Sequence, residues 1–220
     1  MAESALLATE VVPVFPLPNV VFFPGTVLPL HIFEPRYRKM VADVQDGNRQ
    51  FAIALIRADG KQAGDENPAI HSIGTLGRVV DLDPLPDGRF NLQLAGLHRV
   101  EFEELPSDKP YRLARCRPRP EASIAEGTPE VREAKLELMA SHSYLLSELT
   151  EEASTAIPID EALSLEAAVN RACANLPVEP WVRQELLEDD DLLSRRQRVV
   201  SLIHEILERV LQLKSPTPLN

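Results

Sequence analysis

The sequence predicts an α+β protein, with a mostly antiparallel β domain over residues 10–118, a helical bundle over residues 128–213 and a disordered tail at 214–220. Three observations carry this expectation. Between residues 73 and 117 apolar and polar side chains alternate with a period of two, as in strands with one wet face. From about residue 120 the composition turns to Ala, Glu, Leu and Arg, and apolar residues recur at helical spacing. Before both lies a proline-studded stretch running to Met40, with prolines at 13, 16, 18, 24, 29 and 35. Each proline fixes φ and removes a backbone donor, so this stretch reads as short extended pieces joined by rigid turns rather than one helix or a central strand.

Within that stretch Val20–Phe23 is a β-prone run. Pro24-Gly25 has the residues of a type II turn, and Val27–Ile32 returns as a second strand. Pro35 suits the first position of a helix, where its missing N–H is no loss. Tyr37, Met40, Val41 and Val44 then give that helix one apolar stripe, which ends at Asp46-Gly47. Phe51–Ile56, continuously apolar, predicts a strand covered on both faces, and the polar Arg57–Ser72 segment predicts a surface loop. Three strands follow, Ile73–Asp83, Arg89–Ala95 and Arg99–Leu105, joined by Pro86-Asp87-Gly88 and by Gly96-Leu97-His98. Tyr111–Arg117 adds another.

In the second half Thr128 caps a helix with Pro129 at its first position, and Val131, Ala134, Leu138, Leu145 and Leu149 form its stripe. Ser164 starts a second helix, Pro180 a third, and Leu192–Leu213 makes a long fourth. On the fourth, Val199, Ile203, Ile206, Val210 and Leu213 share one face, while Arg195, Arg198, Glu205 and Glu208 are expected on others.

The segments PLPNVVFFPG and PLHIFEPRYR, followed by IGTLGRVV, PDGRFNLQLAGLHRVEFEE and LPVEPWVRQELLEDDDLLSRRQRVVSLIHEIL, resemble the amino-terminal domain of Lon proteases, which also occurs as a stand-alone protein and within cereblon. The resemblance covers nearly the whole chain. It implies a PUA-like β domain followed by a helical subdomain, and a non-enzymatic, protein-binding function. In that function unfolded or exposed polypeptide segments are captured in the cleft between the two parts, for delivery to a separate protease. No cofactor, metal or catalytic residue is expected. The aromatic cluster Phe22, Phe23, Phe33 and Tyr37 supplies the candidate polypeptide-binding residues, with core packing as the competing role for each. The alternative is a PUA-like module for RNA or a small ligand. Its candidate anion-binding residues are Arg115, Arg117 and Arg119, which with Arg112 could instead blunt an edge strand.

Chemistry is otherwise sparse. The Gly-Lys pair at 60–61 lacks the upstream glycine of a phosphate loop, and His204 is followed at i+4 by Glu208 where a zinc-protease signature has a second histidine. Ser141 and His142 are adjacent on a predicted helix, so their side chains diverge. Cys116 and Cys173 read as buried free thiols. The formal net charge of -11 disfavours nucleic acid and anionic membranes as partners. The chain holds no apolar run long enough to span a bilayer, and Met1–Val11 lacks the pattern of a secretory signal, so a cytoplasmic location is expected. Oligomeric state is left open by these patterns.

Overall fold

Six strands and five α-helices make up the fold among the described residues. The computed structural model describes residues 9–60, 67–122, 124–149 and 158–214. The expected tail, the Gly-Lys pair in the Arg57–Ser72 loop and the absent secretory signal fall wholly or partly outside those residues. Two compact units meet in sequence between Pro120 and Glu121.

The first unit holds β1 (Glu10–Leu17), β2 (Val27–Ile32), α1 (Pro35–Gln45), β3 (Gln50–Leu55), β4 (Ile73–Pro84), β5 (Phe90–Leu105) and β6 (Arg112–Pro118). Its strand order is β2-β5-β4-β3-β1-β6, and a further β5–β6 pairing closes five of the strands into a ring, leaving β2 on the first half of β5. All pairs are antiparallel except β1–β3.

The ring sorts side chains by size. Val12, Val14, Ala52, Ala54, Leu76, Val100, Ala114 and Cys116 cluster on one face of all five ring strands. These are small enough to fill a narrow barrel interior. On the other face Phe15, Phe51, Ile53 and Leu94 pack with Tyr37, Met40, Val41 and Val44 of α1. The apolar run of β3 serves both clusters, which is why its six residues are all buried.

Two expectations about strands are corrected. Glu10–Leu17 is a full strand despite Pro13 and Pro16, paired to β6 over Glu10–Val14 and to β3 over Val14–Leu17. The Leu17 carbonyl accepts from the Ile56 N–H on the β3 side. Alternation therefore turns Pro13 toward β3 before that pairing begins, and Pro16 toward β6 after its pairing has ended. Neither missing N–H breaks a ladder. Val20–Phe23, conversely, is not a strand. Its residues 21–23 are buried in succession, and the Phe22 carbonyl accepts from the Thr75 hydroxyl at 2.5 Å.

Gly96-Leu97-His98 is not a turn either. It lies inside one long β5, where the register against β4 slips between Leu76 and Gly77. A Cβ at Gly96 would lie 2.5 Å from the Phe23 carbonyl oxygen. The glycine thus admits the crossing Phe22–Phe23 segment, and the bulge bends β5 so that its second half reaches β6. Pro24-Gly25 turns as expected, with Gly25 at φ +73° and the Thr26 N–H donating to Phe23 O at 3.4 Å.

The second unit holds α2 (Pro129–Glu148), α3 (Leu165–Asn175), α4 (Pro180–Glu188) and α5 (Leu192–Lys214). Thr128 and Ser164 cap α2 and α3 by accepting from Val131 and Ala167 N–H at 3.3 and 3.1 Å. Asp191 accepts from Leu193 and Ser194 at the start of α5. Arg195 departs from its expected polar face. It is fully buried, ion-paired to Glu121, whose side chain is 4% exposed, and hydrogen-bonded to Asp189 O and Asn170 Oδ1 at 3.1 and 3.3 Å. At the other end of the stripe Leu213 is exposed and Val210 half-buried.

Candidate functional site

Among the described residues β2 is an edge of the sheet, paired only with β5. The Thr26 carbonyl accepts from Gly96 on the β5 side. By alternation Leu28, Leu30 and Ile32 also face β5, and Val27, Pro29 and His31 direct their backbone groups outward. Pro29 has no N–H to offer there, so the edge keeps two outward donors, at Val27 and His31, and three outward carbonyls.

The side chains along this edge form a braced platform. His31 Nδ1–H donates to Asn91 Oδ1 at 2.7 Å, leaving Nε2 to accept from Arg89 Nη1 at 3.3 Å. Arg89 is itself held by Asp87 at 2.6 Å, and the Arg89 backbone N–H and guanidinium keep the Asp87 carboxyl below the ordinary range. The His31 ring, fixed by these contacts, stacks with Phe33 at 6.2 Å between centroids. Phe33 is 60% exposed and Val27 55%. Beside them a cavity of about 480 Å³ opens on the sheet face, lined by Pro29, His31, Asp81, Asp83, Asn91 and Gln93.

The other three aromatic candidates lie inside. Phe22, Phe23 and Tyr37 are buried, with the Tyr37 ring 4.3 Å from that of Phe15 and the Arg36 guanidinium 4.6 Å above it. Burial raises the Tyr37 pKa.

The arginine strip is not on an edge, because β6 pairs with both β1 and β5. Arg115 and Arg117 share Glu103 at 2.9 and 3.2 Å, and this contact, Arg115 foremost, holds the Glu103 carboxyl below its usual range. Arg112 reaches Glu104 at 3.2 Å and Pro68 O at 2.5 Å, while the Arg119 N–H donates to Arg99 O at 2.9 Å. A polar cavity of about 620 Å³ adjoins Arg112, Glu104, Lys109 and Tyr111. Its Lys109 is paired with Asp43 at 3.1 Å, and the Tyr111 hydroxyl donates to the same carboxylate at 2.6 Å.

Ser141 reaches His204 rather than His142, with Oγ 3.4 Å from Nε2. Both residues lie inside helices, where backbone N–H groups are committed to the ladder and unable to stabilise an oxyanion. Cys116 and Cys173 are buried free thiols, each pushed up to about 12 by burial. Among the described residues no three His, Cys, Asp or Glu side chains are grouped to hold a metal, and no helix is long and apolar enough to cross a membrane.

A closed five-stranded ring with an edge strand appended, followed in sequence by a four-helix unit, defines a scaffold of mixed α and β structure. The family model of the substrate-binding domain of the ATP-dependent protease La (LON) matches residues 11–205, and the chain belongs to that family. A Lon protease of Phenylobacterium zucineum (strain HLK1) is 30% identical over 211 residues, covering 95% of this chain and 26% of that protein. One from Flavobacterium johnsoniae is 27% identical, covering 92% and 25%. The chain thus spans about a quarter of the length of these relatives. Among solved structures, a Lon N-terminal domain protein from Xanthomonas campestris superposes with a TM-score of 0.60 at 25% identity, covering 87% of this chain and 98% of that one. The N-terminal domain of a Mycobacterium avium complex Lon protease shares the fold, with a TM-score of 0.64 at 18% identity, covering 89% and 99%.

Proposed function

We propose that this chain is a non-enzymatic, cytoplasmic polypeptide-binding module that captures exposed apolar segments of other proteins in extended form along the free edge of β2. The observation that carries the reading is Phe33, an aromatic side chain braced by His31 yet largely open to solvent, next to outward backbone groups at Val27 and His31. An extended segment laid beside β2 would gain main-chain hydrogen bonds from those groups and bury apolar side chains against Phe33 and Val27. Family membership supports substrate binding as the role. Delivery of the captured segment to a separate protease is the step we propose beyond binding.

The test is suppression of aggregation of a denatured client by the purified chain without ATP. Suppression is expected, and it should be lost in the Phe33→Ser variant at unchanged melting temperature. No suppression by the intact chain would overturn the reading. Steeply salt-dependent binding of RNA in its place would favour the arginine strip.

A further inference from the structure

Midway along α2, His142 is 1% exposed, and neither ring nitrogen has a hydrogen-bond partner among the described residues. We propose that His142 is an acid-sensitive latch of the helical unit: its imidazole can be packed there neutral but not protonated, so the unit loosens as the pH falls below neutrality.

Among the described residues the surroundings offer a proton nothing to balance it. Within α2 the residues one turn either way are Leu138, Met139, Leu145 and Leu146. From α3 the charge that bears on the ring is the Arg171 guanidinium, whose sign opposes an imidazolium. The buried side chains of α5 are Leu192, Val199, Val200, Ile203 and Leu207, together with Arg195, which is committed to Glu121. The α5 histidine, His204, is exposed and turned to Ser141. A neutral, unpaired imidazole in this core forgoes its hydrogen bonds, and a charged one would add an uncompensated buried cation.

Burial, seconded by Arg171, lowers the pKa of His142 from its ordinary value. A histidine freed by unfolding titrates near ~6.5, so below that pH the unfolded chain binds a proton that the folded unit does not. The folding equilibrium then loses up to about tenfold per pH unit, from ~6.5 down to the depressed folded value. Above ~6.5 the contribution is fully retained.

The single tryptophan of the chain, Trp181, lies in α4 of this same unit and reports its unfolding. Urea unfolding of the full chain would be followed by Trp181 fluorescence at pH 7.5 and pH 5.5 for the wild type, His142→Gln and His142→Leu. The wild-type midpoint is expected to fall by more than that of either variant as the pH is lowered. Equal falls in all three would overturn the proposal. Should the variants fail to fold, proton NMR of the wild-type imidazole decides. A folded-state resonance that does not titrate down to the pH of unfolding supports the latch, and a midpoint at or above ~6.5 overturns it.

Discussion

Phe23 and Phe33 stand ten residues apart in one proline-rich stretch and are alike in chemistry, yet one is sealed in the β unit and the other faces solvent. Their serine variants should therefore part company. Phe23→Ser leaves a cavity and a buried hydroxyl, and is expected to destabilise the fold by about 3–5 kcal/mol, visible in urea titration. Phe33→Ser should leave the midpoint within about 0.5 kcal/mol while removing client capture, as surface replacements seldom disturb folding. Two glycines make a second contrast. At Gly25 no atom would meet a new Cβ, so Gly25→Val suffers only from its positive φ, about 1–3 kcal/mol. Asparagine, which tolerates that region, should recover most of the loss at the same position. Gly96→Ala meets the Phe23 carbonyl instead and must displace the crossing segment, so its thermal unfolding should fall even though alanine is smaller than valine. A Gly96→Ala protein as stable as the wild type would show that the crossing can yield.

At the level of elements the helical unit is organised around the carboxylate of Glu121, which precedes α2, and the guanidinium of Arg195 in α5. Arg195→Ala removes a buried guanidinium that pairs with that carboxylate and is expected to destabilise the unit by about 3–5 kcal/mol in a Trp181-monitored melt. The double replacement Arg195→Met with Glu121→Leu exchanges the pair for apolar volume, and should recover much of that loss. A double variant no better than Arg195→Ala would mean that the bonds from Arg195 to Asp189 and Asn170 carry the effect. In the β unit the corresponding device is the bulged β5, whose halves serve β2 and β6 in turn.

For the molecule as a whole, the net charge of -11 and the paired arginines of β6 bear on the proposed capture of a client. Capture driven by Phe33 and Val27 should persist at 1 M salt, where the Debye length is ~3 Å and charge contacts are screened while apolar burial is not. A binding isotherm that collapses between low and high salt would count against the β2 edge and for a charged surface. Adding ATP should change neither affinity nor stoichiometry, which isothermal titration can establish.

Patterns local to the chain were legible without coordinates. The stripe on α1, the caps at Thr128 and Ser164, the Pro24-Gly25 turn and most strand limits follow from neighbouring residues alone, because dihedral preference, capping and periodicity act within a few positions. Residue type misled at Arg195, expected on a polar face although it stands four residues from Val199, and gave no sign that His142, four residues from Leu138, would be buried. What only the tertiary structure decided was partnership across long separations. It decided that two prolines fit a strand whose partners cover different halves, that Gly96 marks a crossing rather than a turn, and that β6 lies within a ring and not at its edge. It also decided which one of four clustered aromatics stays outside. Local sequence sets the conformations a segment can adopt, whereas burial and pairing depend on segments that reach it only when the chain closes on itself.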